Sequence, residues 1–183
     1  MPDARLLIKD QRLDAASARE HLLQRLGRCG VAPEAVRMLG SSRHLEHLET
    51  YHRVDLGLDP FPHGGGVSTA EALWMGVPVV TLAGASLASR LSASILTALG
   101  MQEWIARSDD EYVRIAVQAA ADLPALERLR LALRGRMAAS AVGDVAAYAR
   151  RVEQTYRALW RRWCERSKPP VQETLSALSL RTL

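Results

Sequence analysis

Gly64, Gly65 and Gly66 stand in a row, followed by Val67, Ser68 and, three residues further on, Glu71. Glycines let a backbone approach a ligand closely and accept φ > 0. A helix opening after them would direct unpaired N–H groups and the positive end of its dipole at the same spot, which favours an anion. These residue types in this order point to a phosphate or diphosphate held at Gly65, Gly66, Val67 and Ser68. The triplet also fits a ligand-free strand-to-helix turn. It is neither a G-x-G-x-x-G fingerprint nor a P-loop, since no lysine follows it. Ser68 and Glu71 carry a second ambiguity. "STAE" fits a capping box, with Ser68 as N-cap and Glu71 reaching back to its backbone N–H. A glutamate in the first turn can instead accept hydrogen bonds from vicinal hydroxyls such as those of a ribose. Spacing leaves both roles open.

Other chemistry-bearing residues cluster on either side. His44, His47 and His52 share one helical segment, but spacings of three and five give no compact metal site. His63 borders the glycine loop, positioned either to meet phosphate or to cover the strand end. Asp59 closes a strand and reads as a loop cap. Arg90, early in a helix, faces either the diphosphate or a salt-bridge partner. Cys29 and Cys164 are far apart and near no metal-ligand pattern.

The elements that position these groups alternate. Strands are predicted at Arg5–Lys9, Ala35–Gly40, Val54–Pro62, within "PVVTLAG", and at "EWIAR" as a short edge strand. The run "PVV" is apolar on both faces, as in a buried parallel strand. Helices are predicted after Asp14 as N-cap, over "SSRHLEHLETYHRVD", from Ser68 to Met75, over "SLASRLSASILTALG", from Asp109 to Asp122, from Pro124 to Ala139, and from Asp144 to Arg166. The last has an inner stripe of Val145, Tyr148, Val152, Tyr156, Leu159 and Trp163. This order gives an α/β fold, a Rossmann-like parallel sheet with right-handed crossovers and a C-terminal helical extension. The predicted organisation is one domain over 1–166 and a frayed tail over 167–183. In open sheets of this kind ligands sit outside the carboxyl ends of the strands, where the glycine loop falls.

Composition narrows the class. The chain has 183 residues, 48% of them hydrophobic, enough for a real core. Net charge is +4, almost all of it arginine and densest near the C-terminus, in the pattern of a solvated helix face. No recognition motif or aromatic–basic platform accompanies the charge, so no nucleic-acid partner is expected. No apolar run reaches membrane-spanning length and no signal peptide is visible. The expectation is a cytoplasmic protein with neither membrane nor nucleic acid as partner.

The stretch "LETYHRVDLGLDPFPHGGGVSTAEALWMGVPVVTLAGASLASRLSASILTALG" closely resembles the C-terminal catalytic half of the O-linked N-acetylglucosamine transferase family, in its bacterial, tetratricopeptide-associated, Spindly-like branch. Members carry a segment like D-x-F-P-Y-N-G-x-T-T-x-x-E-A-L-W-M-G-V-P-V-V-T-L-x-G. "EALWMGVPVVTLAG" matches it residue for residue, and "ASR", "SILTALG" and "YRALWRRW" fit as well. The resemblance covers roughly Leu6 to Cys164. It implies the C-terminal half of a GT-B glycosyltransferase, two Rossmann-like domains facing across a cleft, with this half binding a nucleotide sugar, usually UDP-N-acetylglucosamine. The glycine loop and helix start would hold the diphosphate, Glu71 the ribose, and His47 the uracil. No metal or other cofactor is implied, because helix N-termini and basic side chains stabilise the departing diphosphate.

The departures bear on activity. The family's Tyr-Asn-Gly is His63-Gly64-Gly65 here. Two threonines that often contact phosphate fall on Val67 and Ser68, and Val67 has no side-chain donor. A lysine near the base in some members falls on His44. The resemblance further implies that the first strand of this half, the N-terminal Rossmann domain and the tetratricopeptide repeats lie outside these residues, leaving one wall of the cleft. An in-line transfer needs the acceptor hydroxyl positioned behind the sugar carbon. The expected partners are therefore a UDP-sugar and the missing N-terminal half or another protein. The competing expectation is a non-catalytic half-enzyme acting as an interaction module.

Overall fold

The computed structural model describes residues 3–166, so the predicted tail over 167–183 lies outside them. Five strands and seven α-helices alternate in these residues, and every strand pairing is parallel. The sheet is in two pieces. β1 (Leu6–Lys9) pairs β2 (Val36–Leu39) in the register Leu6 to Val36 through Lys9 to Leu39. β3 (Gly57–Leu58), β4 (Val79–Leu82) and β5 (Ile105–Ala106) form the second piece in the order β3-β4-β5. β5 is the edge strand anticipated from "EWIAR".

The helices are α1 (Ala16–Arg28), α2 (His44–Thr50), α3 (Val67–Trp74), α4 (Leu91–Ala98), α5 (Asp109–Ala121), α6 (Leu123–Ala139) and α7 (Val145–Arg166). Local chemistry fixes several ends. Ser108 caps α5 by accepting from the Glu111 N–H, while the Glu111 carboxylate reaches back to accept from the N–H of Arg107, the residue before the cap. Asp122 and Asp144 cap α6 and α7 through the N–H groups of Ala125 and Ala147. Gly76 ends α3 at φ +80, a left-handed conformation that favours glycine, and a Cβ there would lie 2.9 Å from the Arg130 carbonyl oxygen.

One predicted N-cap is corrected here. Asp14 does not cap α1, whose N-cap is Ala15 with no side-chain bond. The Asp14 carboxylate instead accepts from the Ser41 N–H and hydroxyl across the end of β2, at 2.9 and 2.5 Å. A backbone amide and a hydroxyl together outbid the single helix N–H that a cap would satisfy, and they hold the Asp14 carboxyl below the usual carboxylate range.

The core sits around β4. Val79 and Val80 are buried, and Leu73, Val77, Leu96, Met101 and Leu133 are sealed completely from α3, α4, α6 and the connecting turns. β4 meets the expectation for a strand covered on both faces. By contrast, Leu13 is the one buried side chain between residues 3 and 58. The fold divides after Val142 into two units, and the described part of the second is α7. α7 is strongly amphipathic in sequence, but its apolar positions Val145, Tyr148, Tyr156, Leu159 and Trp163 are exposed. Trp160 and Trp163 stack on one another with ring centroids 5.1 Å apart.

Candidate functional site

Asp59 follows β3 and Ala83-Gly84 follow β4, and the loops they open both lie at the carboxyl edge of the second sheet piece. The loop after β3 carries Gly64, Gly65 and Gly66, and the Phe61–Pro62 peptide within it is cis. Its end is also the start of α3: Gly66 is the N-cap and accepts the first helical bond, from Ala70. The N–H groups of Gly66, Val67 and Ser68 precede any possible i−4 partner in the helix and donate to no acceptor among the described residues, as at the free start of a helix. Val67 and Ser68 are exposed.

Of the two reasons expected for the glycines, close approach and φ > 0, the second does not apply. None of the three has a positive φ; among the described residues those are Gly30, Gly76 and Gly100. Space decides instead. A Cβ on Gly65 would stand 2.6 Å from Thr69 Oγ1, 2.7 Å from Ser68 Oγ and 3.1 Å from Asp59 Oδ1, and one on Gly64 would stand 2.9 Å from Asp59 Oδ2. The loop lies directly against side chains of its own support.

The capping box is also corrected. α3 starts at Val67, so Ser68 is already inside the first turn and no side chain caps the helix. Glu71 is thereby freed to turn toward α2. Its carboxylate lies 3.4 Å from His47 Nε2 and 3.8 Å from His44 Nδ1. Tyr51, one turn beyond His47, meets the His47 ring edge-to-face at 5.4 Å and donates its hydroxyl to the Ser68 carbonyl at 3.2 Å. Burial, and secondarily the Glu71 charge, pushes the Tyr51 phenol up to about 12, so it remains a donor. Glu71, His44, His47 and Tyr51 thus form one cluster beside the helix start. Tyr51 was not singled out from the sequence. Its signal is its place four residues after His47, on the same face of α2.

The remaining candidates are placed as follows. His63 is exposed on the loop, and none of the hydrogen bonds or ion pairs among the described residues involves it. Arg90 makes no ion pair; its Nε donates to the Gly84 carbonyl at 2.6 Å and holds the loop after β4. Asp59 is buried, with one oxygen on the Gly65 N–H at 2.7 Å and the other on the Thr81 hydroxyl at 2.6 Å. Lys9, at the end of β1, donates to the Gly40 carbonyl. The site is an open ledge; a cavity of about 500 Å³ lies elsewhere, between α5 and α6 beside Trp104, with no glycine-loop residue in its wall. The cavity wall carries Glu103, Glu111, Arg114 and Asp122, whereas the ledge sets a free helix start beside the Glu71, His44 and His47 cluster.

The arrangement can hold an anion on the three outward N–H groups and offer carboxylate and imidazole partners to hydroxyl and base a few ångströms away. Comparison with known proteins gives the family. The model of glycosyl transferase family 41 matches residues 12–152. A rice (Oryza sativa subsp. japonica) protein described as a probable UDP-N-acetylglucosamine–peptide N-acetylglucosaminyltransferase SPINDLY is 39% identical over 174 residues, 94% of this chain and 19% of the relative. The Caenorhabditis elegans UDP-N-acetylglucosamine–peptide N-acetylglucosaminyltransferase is 31% identical over 79% of this chain and 12% of its own length. A solved lysine-to-methionine mutant of Thermobaculum terrenum O-GlcNAc transferase superposes with a TM-score of 0.85 at 36% identity, covering 91% of this chain and 32% of that one. The chain therefore spans about a fifth of the length of its plant relative and a third of the solved chain. With a family match running from before α1 into α7, the glycine loop and the Glu71 cluster inside it, and the same fold in a solved O-GlcNAc transferase, this chain belongs to glycosyl transferase family 41.

Proposed function

We propose that this chain is the donor half of a protein O-glycosyltransferase and binds a nucleotide sugar, UDP-N-acetylglucosamine, at the ledge formed by the glycine loop and α3. The observation that carries the reading is the convergence of unpaired Gly66, Val67 and Ser68 N–H groups with Glu71 and His47 at one strand end. The diphosphate sits on the N–H groups, where the helix dipole favours negative charge. The Ser68 hydroxyl adds a side-chain donor that Val67 lacks. Glu71 accepts from the ribose hydroxyls, and His47, steadied by Tyr51, lies against the base. His63, at the mouth of the loop, is assigned to the phosphates. Charge on the departing diphosphate is met by backbone dipoles, so the reading includes no metal or cofactor.

Transfer itself requires a second wall to position the acceptor hydroxyl, and we assign that to polypeptide beyond these residues, so this chain alone binds donor without turning it over. The division of the sheet separately points to a strand, supplied by polypeptide beyond these residues, between its two pieces. Doubly wound sheets run in the order 3-2-1-4-5-6. Strand pairs β2-β1 and β3-β4-β5 are that order with its central strand removed.

Calorimetric titration with UDP tests the reading. Micromolar to millimolar binding that Glu71→Ala weakens at least tenfold is expected. A folded sample that binds no UDP, or binds it equally well in the variant, refutes it. The alternative, an interaction module without donor binding, draws on the exposed Tyr148, Tyr156, Trp160 and Trp163 of α7 and predicts the same null titration together with a stable partner complex.

A further inference from the structure

The buried polar residues among those described are Asp59, Thr69, Thr81, Ser89 and Ser92. Four of them form one network under the glycine loop. Ser92 Oγ donates to the Gly65 carbonyl at 2.8 Å, so the hydrogen between Thr69 Oγ1 and Ser92 Oγ, also 2.8 Å apart, comes from Thr69. Asp59 Oδ1 takes the Gly65 N–H and Oδ2 the Thr81 hydroxyl from β4. No ion pair among the described residues includes Asp59. A buried carboxylate is costly unless its hydrogen bonds are made, and here half of them go to one loop amide.

The consequence is geometric. The N–H of Gly65 is turned inward by Asp59 and its C=O is held by Ser92, so both peptide units flanking Gly65 are fixed. The Gly65 N–H is then unavailable to a ligand, contrary to the cradle expected from sequence, and the outward set begins at Gly66. Asp59 itself faces away from the ledge, is neither a helix cap nor a surface charge, and its carbonyl oxygen is tied at 3.0 Å to the Tyr112 hydroxyl of α5.

We propose that Asp59 is the positioning residue of the donor ledge: by fixing Gly65 from beneath, it aims the Gly66, Val67 and Ser68 N–H groups at one point, where a nucleoside diphosphate binds. This rests on the donor-binding reading above. The experiment pairs amide hydrogen exchange at Gly65, with Leu96 of α4 as control, with calorimetric titration by UDP, on the 183-residue chain and its Asp59→Ala and Asp59→Asn variants. A hydrogen bond to a charged group predicts that Asp59→Ala speeds Gly65 exchange by about 10- to 100-fold, leaves Leu96 unchanged, and weakens UDP by a similar factor. Asp59→Asn keeps an acceptor for the Gly65 N–H and an amide donor for the Thr81 hydroxyl, so it restores most of both, a rescue that loss of charge alone would not give. Unchanged Gly65 exchange in Asp59→Ala overturns the proposal, as does faster exchange with UDP affinity within twofold of the parent. Loss of Leu96 protection would mark a misfolded variant; Ser92→Ala, which removes the carbonyl-side bond together with the acceptor of the Thr69 hydroxyl and leaves the Asp59 contact in place, then decides by the same two readings. A parent chain with a protected Gly65 that binds no UDP refutes the donor reading and the ligand half of this proposal, while leaving the pinned loop standing.

Discussion

Replacing each loop glycine with alanine ranks the three positions by the room beneath them. At Gly65 the new methyl meets Thr69 Oγ1 at 2.6 Å, Ser68 Oγ at 2.7 Å and Asp59 Oδ1 at 3.1 Å. The exposed Ser68 hydroxyl can rotate aside. Thr69 cannot do so cheaply, because it is buried and committed to Ser92, and Asp59 is committed to Thr81. Relief therefore comes from shifting the loop off its support and breaking the Gly65–Asp59 bond. Overpacking of this kind costs about 1–3 kcal/mol. For a chain of this size each kcal/mol moves Tm by about 2–4 °C. At Gly64 one contact, 2.9 Å to Asp59 Oδ2, gives a smaller loss. At Gly66 the nearest atom is Leu91 Cδ1 at 3.6 Å, an ordinary contact, so the space beneath it accepts a methyl without displacement. The expected order of destabilisation is Gly65→Ala, then Gly64→Ala, then Gly66→Ala, read by thermal and urea unfolding, with UDP affinity falling most for Gly65→Ala. A neutral Gly65→Ala, or Gly66→Ala as costly as Gly65→Ala, would refute the account of these glycines as space-limited.

Leu133 of α6 is completely buried against the β4 core, so Leu133→Ala should cost about 2–5 kcal/mol in urea unfolding without changing which residues contact UDP. Alkaline stability should fall between about pH 10 and 12. Burial raises the Tyr51 and Tyr112 phenols to about 12, with lesser contributions from Glu71 and Asp59. Below pH 10 neither state ionises and full stability is present. Above it the unfolded chain sheds protons that the folded chain keeps until about 12. A two-unit shift sets a ceiling of about 2.7 kcal/mol for each tyrosine, and because both rings are only half-buried, solvent screening reduces that to about 1 kcal/mol. Tyr112→Phe should remove its share of the slope within that window, and an unchanged slope would contradict the burial assigned to it.

The parts legible in the sequence are those set by short-range pattern. "PVVTL" reads as a buried parallel strand because nothing polar interrupts it before Thr81, and the alternation of periodicities yields the α/β class. The family follows from one long run, "EALWMGVPVVTLAG". The errors arose where a residue had two acceptable partners and the distant one was taken. Asp14 and Glu71 each sit at positions suited to a helix cap, yet one binds Ser41, 27 residues away, and the other faces His44 and His47 on another helix. Asp59 reads as a cap because its partner Thr81 is 22 residues on and arrives only through sheet pairing. The glycine triplet marks the loop, but a need for space and a need for φ > 0 leave the same letter in the chain, and only the positions of its neighbours separate them. The stripe of α7 is a true amphipathic pattern, but periodicity states which side is apolar and not what covers it.

The near-absence of buried side chains before residue 59 has a thermodynamic consequence for whatever occupies the ledge. β1, α1, β2 and α2 hold no fully buried side chain of their own, Leu13 in the turn between β1 and α1 being the one sealed residue before Asp59, whereas α3 onward is anchored in the core. His47 and Tyr51 belong to the lightly buried side, Ser68 and Glu71 to the anchored one. A molecule gripping both sides acts as a clasp across them. It adds RT ln(1 + [L]/Kd) to the less stable side, about 2.7 kcal/mol at a hundredfold excess over Kd. If the ledge binds a nucleotide sugar as proposed, that ligand would also be part of the architecture, holding in place the half of the sheet with the least interior of its own.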